Sequence, residues 1–414
     1  MIHSRNKIVI GVVVALLVVG ILLLLKQYIG PVSVPSKEEN NPINETVVQE
    51  TEKIVSIPGI KVPEGFVISK YADKISGARA IVLDPRGRLI VSQTSEGKIT
   101  VLENKDNKGT AETKKELASG LSKPHGMAFD CPIDDRNLPC YLYVAQRDEL
   151  GRYLYDSESA TVSNYEKLTS LDSAKSDRHF TRSLNFLPSP EENILLVSVG
   201  SSCDVCYEKS QMRGRIMAFD TKTKTISEYA GGLRNAVFMA TDFVSGRIFA
   251  TEMGRDRLGD ELPPDEINII EKGKNYGWPI CYGKNVHDTN FDKNQYIQNP
   301  CNDKAPSFID LPAHSAPLGL AFIPEEGWPE DYWYDLVVAF HGSWNRTEPT
   351  GYKIMRLKLD AQGNYEGSED FISGWLTSKG TKLGRPVDIL VLSGGTAYIT
   401  DDSSGVIYKF SRKQ

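Results

Sequence analysis

AIVLDPRGRLIVS, residues 80–92, contains two apolar runs joined by a turn with proline and glycine. A third apolar run, Gly97–Leu102, follows after a short break. Short runs rich in Val, Ile and Leu, bounded by turn residues, are typical of β-strands. The segment therefore predicts three consecutive strands of one small sheet.

The same unit recurs along the chain. Further copies begin near His125, Arg182, Asn235, Leu318 and Val387. Their predicted second strands are Tyr141–Ala145, Ile194–Val199, Arg247–Thr251, Leu336–Phe340 and Ala397–Thr400, and predicted third strands include Gly214–Phe219, Lys353–Leu359 and Gly405–Phe410. Units spaced by roughly fifty residues or more repeat in the range of propeller blades. The sequence thus predicts an all-β, six-bladed β-propeller, whose last blade is completed by the early strand Phe66–Lys70.

The N-terminus has a different character. Residues 1–7 are basic, and residues 8–25 form an apolar run without a charge. Such a run is just long enough to cross a membrane, and the preceding charges place the N-terminus in the cytoplasm. We predict a retained transmembrane signal anchor at 8–25, a flexible linker at 26–56 and an extracytoplasmic propeller at 57–414. A cleaved signal peptide is the alternative.

Charge and cysteine content limit the possible partners and compartment. The formal net charge is −6 and no basic block occurs, which argues against a nucleic-acid partner. The six cysteines form three local pairs: Cys131 with Cys140, Cys203 with Cys206, and Cys281 with Cys301. These pairs predict disulfides formed in an oxidising compartment. A redox or metal role for the CxxC pair, Cys203 and Cys206, is the alternative, although no second CxxC accompanies it.

A segment rich in carboxylates lies between two predicted strands of the fourth unit. It contains Glu252, Asp256, Asp260, Glu261, Asp265 and Glu266 among glycines and prolines. Carboxylates and turned-out carbonyls are the ligands of hard cations such as Ca²⁺. A solvated acidic loop is the alternative.

Polar residues stand where the first strand of each unit begins. They are His125, His179 with Arg182, Arg234 with Asn235, His314 and Arg385, while His341 ends a strand. The chain has only six histidines, so their recurrence at equivalent positions is informative. In a closed propeller, these side chains would converge on one funnel around the central channel.

Several motifs resemble those of the glucose/sorbosone dehydrogenases. They are Leu233–Ala236, Thr251–Asp256, Pro264–Asn268, Tyr276–Pro279 and His179–Arg182. The resemblance covers about residues 60 to 412. The motifs Ser201–Cys206, His341–Arg346 and Pro349–Tyr352 are more similar to the sorbosone dehydrogenase-like branch. The resemblance implies a six-bladed propeller that uses pyrroloquinoline quinone (PQQ) and Ca²⁺.

The resemblance also implies roles for individual residues. His179 matches the catalytic base, and Arg234 matches the arginine that polarises the quinone carbonyl, with Asn235 beside it. The main-chain carbonyls of Gly254 and Arg255 would bind Ca²⁺. Asp265 and Glu266 would either brace that loop or hold a second ion. Arg385 and Arg346 would meet the carboxylates of PQQ. From their positions in the funnel, His125 and His341 are also predicted to bind the cofactor.

Together these features predict a membrane-tethered, extracytoplasmic quinoprotein dehydrogenase. It would oxidise an aldose or a sugar aldehyde and pass electrons to a membrane quinone or cytochrome. Two alternatives share the same fold. One is a non-catalytic propeller that binds glycan or protein ligands in the funnel, and the other is a propeller lactonase or related calcium hydrolase.

Overall fold

The computed structural model describes residues 57–105, 109–132, 139–173 and 178–413. Within these ranges, no helix has the length and apolar character needed to span a membrane. The predicted transmembrane segment, residues 8–25, and the predicted linker, residues 26–56, lie outside them. The membrane anchor and the domain boundary therefore stay predictions.

Six four-stranded antiparallel sheets account for nearly all the regular structure of the described residues. The first strand, β1 (Phe66–Ala72), belongs to the last sheet. Blade 1 contains β2 (Ala78–Leu83), β3 (Leu89–Gln93), β4 (Lys98–Glu103) and β5 (Thr113–Ala118). Blade 2 contains β6 (Met127–Asp130), β7 (Tyr141–Ala145), β8 (Glu149–Asp156) and β9 (Thr161–Ser170). Blade 3 contains β10 (Leu184–Phe186), β11 (Ile194–Val199), β12 (Arg215–Asp220) and β13 (Thr225–Gly231).

The second half of the chain repeats this arrangement with one insertion. Blade 4 contains β14 (Ala236–Thr241), β15 (Ile248–Glu252), β16 (Asp265–Ile270) and, after the hairpin of β17 (Cys281–Tyr282) and β18 (Val286–His287), β19 (Ile309–Leu311). Blade 5 contains β20 (Pro317–Phe322), a 3₁₀ turn at Glu330–Tyr332, β21 (Leu336–Phe340), β22 (Lys353–Leu359) and β23 (Tyr365–Ile372). Blade 6 contains β24 (Pro386–Leu392), β25 (Thr396–Asp401) and β26 (Val406–Arg412).

The ring is closed by the two ends of the described chain. β1 pairs antiparallel with β26, with Phe66 opposite Arg412, and so completes blade 6. The innermost strands contact one another in cyclic order, from β2 through β6, β10, β14, β20 and β24 back to β2. Closure leaves no open edge between the first and last blades. The six-bladed propeller and the closing role of the early strand are confirmed.

Apolar residues of the inner strands build the core between blades. β3, β15 and β21 are buried along their whole length. Fully burying one Val, Leu or Ile side chain stabilises the fold by about 1.5 to 3 kcal/mol. The outermost strands differ, because β5 and β9 face solvent along most of their length.

All three predicted disulfides form. Cys131 is bonded to Cys140, Cys203 to Cys206, and Cys281 to Cys301. The last bond ties the β17–β18 insertion to the segment that leads into β19. The second closes the short irregular segment 201–208, called the disulfide loop below. In this oxidised state, neither Cys203 nor Cys206 offers a thiolate to a metal.

The prediction of a loop is wrong for three residues of the acidic segment, because Glu252, Asp265 and Glu266 lie in strands. Glu252 is the last residue of β15, and it lies opposite Glu266 in β16, which begins at Asp265. All three carboxylates are buried. Strand positions can bury them because backbone N–H groups donate to each one.

Candidate active site

The polar residues that precede each innermost strand lie at one end of the propeller. The Gly126 N–H donates to the Arg182 carbonyl (2.7 Å), which joins the start of β6 to that of β10. The Ile81 N–H donates to Asp388 (3.0 Å), which joins β2 to β24. Neighbouring innermost strands therefore contact one another around the axis, and the residues that precede them lie at the same end of the ring, as the predicted funnel requires.

His179 presents a defined tautomer. Its Nδ1 lies 3.0 Å from the Ser201 carbonyl oxygen and 2.8 Å from Ser201 Oγ. A carbonyl only accepts, and Ser201 Oγ itself donates to the Cys203 carbonyl (2.7 Å). Nδ1 must therefore carry the proton. This leaves the Nε2 lone pair of His179 available as a base.

The protonation state of His179 suits this role. Burial lowers the pKa of His179 well below its ordinary value, and the positive charges of Arg234 and Arg178 lower it further. The residue also adopts φ = +46°, a conformation that is uncommon outside glycine. Arg182 Nη1 donates to the His179 carbonyl (2.9 Å) and so helps to hold this backbone. His179 is thus a neutral imidazole near pH 7.

Gly200 allows His179 and Asn235 to approach each other. A Cβ at Gly200 would lie 2.6 Å from His179 Cβ and 2.6 Å from Asn235 Oδ1. No larger residue fits without moving one of them. Asn235 Oδ1 is buried and has no hydrogen-bond partner among the described residues.

Arg234 is held by several contacts. Its Nε donates to the Asp204 carbonyl (2.9 Å), its Nη2 to Asp204 Oδ1 (2.8 Å) and its Nη1 to the Met253 carbonyl (3.1 Å). Asp256 Oδ2 lies 3.5 Å from Nη2. The side chain of Arg234 is only 4% exposed. A guanidinium so fixed can donate only in a fixed direction.

Glu252 holds the backbone of Arg234 and Asn235, a role that was not predicted from the sequence. Its Oε1 accepts from the backbone N–H groups of Arg234 (2.6 Å) and Asn235 (2.9 Å). Burial raises the pKa of Glu252 to about 8, and repulsion from Glu266 adds to the shift. Its position was the available signal, since a carboxylate at the end of an otherwise apolar strand needs a partner.

The loop after β15 contains the carbonyls predicted to bind Ca²⁺. Among the described residues, no backbone donor reaches the carbonyl oxygen of Gly254 or of Arg255. Asp265 accepts from the N–H groups of Gly254 (2.9 Å) and Ala316 (2.9 Å). Burial raises the pKa of Asp265 to about 6. These contacts are those of a brace, one of the two roles predicted for Asp265.

Glu266 lines a small pocket. It accepts from the Gly283 N–H (2.6 Å) and from Asn268 (2.9 Å), and burial raises its pKa to about 7. Glu266, Glu252 and Arg255 line a cavity of about 20 Å³. This volume holds about one water molecule or one small ion.

A second polar cluster lies where blades 5, 6 and 1 meet. His341 Nε2 donates to Asp402 (2.9 Å), which also accepts from Arg79 (3.0 Å). His125 is in a different place, before β6 of blade 2. It is fully buried, with Nδ1 3.2 Å from the Arg182 carbonyl and Nε2 without a partner in the described chain. Arg79 and Asp402 were missed because they lie far apart in the sequence.

Both arginines predicted to meet the cofactor carboxylates contact protein carbonyls. Arg385 donates to the carbonyls of His341 (3.0 Å) and Gly342. Arg346 donates to the carbonyls of Asp260 (2.7 Å) and Ala313 (3.2 Å). These contacts hold the blade 5 loop against neighbouring loops. A direct role for Arg385 and Arg346 toward a cofactor stays a prediction.

The site fits an electron-poor, acidic quinone with a cation. Beyond its three hydrogen bonds, Arg234 retains one N–H on Nη1 and one on Nη2, and Nη2 also lies 3.5 Å from Asp256 Oδ2. Asn235 Oδ1 and Glu252 Oε2 are buried without a partner among the described residues. The open carbonyls of Gly254 and Arg255 add oxygen ligands for a hard cation.

The fold and site define a six-bladed propeller with a neutral imidazole and a fixed arginine in its funnel. A family profile described as TrAA12-like matches residues 60–413. The chain belongs to this family.

Sequence relatives extend this assignment. The chain is 31% identical over 366 residues to an uncharacterized protein of Borreliella burgdorferi, covering 84% of this chain and 90% of the relative. It is 25% identical over 427 aligned positions to a pyrroloquinoline quinone-dependent pyranose dehydrogenase of Coprinopsis cinerea. That match covers 86% of this chain but only 56% of the fungal protein.

Solved structures share the fold. The calcium structure of a Trichoderma reesei enzyme of family AA12 has a TM-score of 0.72 at 21% identity, covering 87% of this chain and 98% of that one. The holo form of the PQQ domain of the Coprinopsis cinerea pyranose dehydrogenase has a TM-score of 0.70 at 22% identity, covering 86% and 100%.

Proposed function

We propose that this chain is a sugar dehydrogenase that uses PQQ and Ca²⁺. The observation that carries the proposal is the unprotonated Nε2 of His179, set beside Arg234 and Asn235 in the funnel. A module that only binds ligands has no need of a base with a fixed tautomer. The similarity to a PQQ-dependent pyranose dehydrogenase supports the same class of reaction.

The residues of the chain would act on the sugar in a defined way. PQQ, when bound, supplies the electron-poor carbon that accepts a hydride. His179 Nε2 takes the proton from the sugar hydroxyl, which it can do because it is neutral. The remaining N–H donors of Arg234 would stabilise an oxygen on which negative charge develops. The carbonyls of Gly254 and Arg255 would hold Ca²⁺, which would supply Lewis-acid chemistry at the site.

The substrate would be an aldose or a sugar aldehyde. Trp344 has 62% of its surface exposed, and Asn345 beside it donates to Asp256 (3.2 Å), which lies next to Arg234. An exposed indole at this place offers an apolar face to a sugar ring. The motifs at 201–206 and 341–346 favour a sorbosone dehydrogenase-like substrate within this class.

We further propose that residues 8–25 tether the propeller outside the cytoplasm. The apolar run and the three disulfides support this location independently. A membrane quinone or cytochrome would then be close enough to accept the electrons.

The test is turnover by the full chain with PQQ, Ca²⁺, an artificial electron acceptor and a panel of aldoses. At least one sugar should be oxidised, and His179→Gln should lower kcat by about a hundredfold or more while PQQ still binds. His287→Gln is the matched control, because His287 pairs with Asp292 in the β17–β18 insertion. A folded, PQQ-loaded chain that oxidises no sugar would favour the ligand-binding propeller instead.

A further inference from the structure

The disulfide loop contacts each functional part of the site. Through Ser201 it fixes the tautomer of His179. Through Asp204 it binds the guanidinium of Arg234. Asp204 Oδ1 also accepts from the Asp256 N–H (2.9 Å), in the loop that bears the predicted Ca²⁺ ligands. One short segment therefore links the base, the arginine and the cation loop.

Asp204 determines which N–H groups of Arg234 stay free. Its carbonyl takes Nε and its carboxylate takes Nη2, and the Met253 carbonyl takes one Nη1 donor. A guanidinium has five N–H donors in one plane. Two contacts from one residue prevent rotation about the axis of the side chain. The remaining donors, one on Nη1 and one on Nη2, are therefore held in fixed positions.

The disulfide is one of the restraints on Asp204. The disulfide loop has no strand or helix to hold it. Asp204 lies between Cys203 and Cys206, so the bond between the two sulfurs restricts its backbone directly. Two further contacts fix the ends of the loop: Ser201 N–H donates to the Arg234 carbonyl (2.7 Å), and Ser202 Oγ donates to Glu208 (2.8 Å).

We propose that Asp204 is the positioning residue for Arg234, and that it fulfils this role only while the Cys203–Cys206 disulfide is intact. The proposal rests on the proposed function, because the free donors of Arg234 are those assigned to the quinone. The proposed function does not by itself require that the position of Arg234 depend on the disulfide. The affinity of the chain for PQQ follows the thiol–disulfide state of one loop.

The chemistry of opening the loop is ordinary thiol–disulfide exchange. A dithiol reductant attacks one sulfur, the bond between the two sulfurs breaks, and a mixed disulfide forms. The second thiol of the reductant then displaces the cysteine. Two electrons and two protons pass to Cys203 and Cys206, and the reductant becomes a cyclic disulfide. Asp204 is then restrained only by its own hydrogen bonds and by those at the ends of the loop.

The experiment compares PQQ binding by the wild-type chain, Asp204→Ala, Asp204→Asn and the double variant Cys203→Ser/Cys206→Ser. Cys131→Ser/Cys140→Ser is the matched control, because it removes a disulfide outside the funnel. A second measurement needs no cofactor: phenylglyoxal modification of Arg234, followed by peptide mass spectrometry. Arg234 has a side chain that is only 4% exposed, so it should react slowly in the wild type.

We expect Asp204→Ala and the Cys203/Cys206 variant to bind PQQ about tenfold or more weakly, with Arg234 reacting faster, while circular dichroism shows an intact fold. Asp204→Asn keeps an acceptor and should lie between Asp204→Ala and wild type. Folded variants with unchanged PQQ affinity and an unreactive Arg234 would overturn the proposal. If the wild type binds no PQQ, the proposed function fails, and the reactivity of Arg234 alone decides whether Asp204 positions it.

Discussion

Replacing Glu252 by alanine should destabilise the propeller strongly, although Glu252 touches no predicted substrate. The substitution removes the acceptor of two buried N–H groups, those of Arg234 (2.6 Å) and Asn235 (2.9 Å). Each buried donor left without a partner costs about 1 to 3 kcal/mol. The free energy of unfolding should therefore fall by about 2 to 6 kcal/mol.

Urea unfolding followed by tryptophan fluorescence measures this change in the protein with its disulfides intact. Glu252→Gln keeps a side-chain oxygen for the two N–H groups, so its loss should be well below that of Glu252→Ala. Glu366→Ala is the control, because Glu366 lies exposed on β23 and such substitutions change stability by about 0.5 kcal/mol or less.

The same substitution should weaken PQQ binding, since Glu252 fixes the backbone that positions Arg234 and Asn235. A Glu252→Ala protein that loses less than about 1 kcal/mol, roughly the net worth of one hydrogen bond, would refute the reasoning. So would an equal loss in Glu252→Gln and Glu252→Ala, because the acceptor oxygen that glutamine keeps would then contribute nothing to stability.

Three further predictions concern pH and substrate. Burial raises the pKa of Glu252 to about 8 and that of Glu266 to about 7, above the unfolded value of about 4.3. The stability that these two groups contribute to the EDTA-treated chain is therefore complete at about pH 4 and is lost as the pH rises through 7 and 8. A melting temperature that rises from pH 6 to pH 8 would contradict this, and adding Ca²⁺ should raise the melting temperature at pH 8. Because the pKa of His179 is lowered, kcat/KM should not change as the pH falls to 6.5 and should decrease only at lower pH. If kcat/KM reached half its maximum at or above pH 6.5, a lowered pKa of His179 would be excluded. Trp344→Ala should raise KM for the sugar several-fold and leave PQQ affinity unchanged, and an unchanged KM would remove Trp344 from the sugar site.

The inner strands of the fold were predictable because they carry its core. Tyr141–Ala145, Ile194–Val199 and Leu336–Phe340 were predicted with the bounds that the structure shows. The fourth strands were not predicted, since strands such as β5 and β9 lie at the rim, where polar side chains face water. Without apolar alternation, the sequence of such a strand resembles that of a loop.

The funnel was predictable in part, for a related reason. Residues that precede an innermost strand must face the axis, so His179, Arg234 and Asn235 could be placed from the repeat alone. Asp204 could not, because its function depends on a contact with a residue 30 positions away. Asp402 and Arg79 are 323 positions apart and meet only when the ring closes.

The most direct test of the account is the absorption spectrum of the full chain loaded with PQQ and Ca²⁺, before and after sugar is added without an electron acceptor. The account predicts that PQQ binds in the micromolar range or tighter, that an aldose bleaches the oxidised quinone in proportion to bound cofactor, and that His179→Gln binds PQQ but keeps its spectrum. A folded chain that binds no PQQ at micromolar concentration, or a His179→Gln variant bleached as fast as wild type, would contradict it.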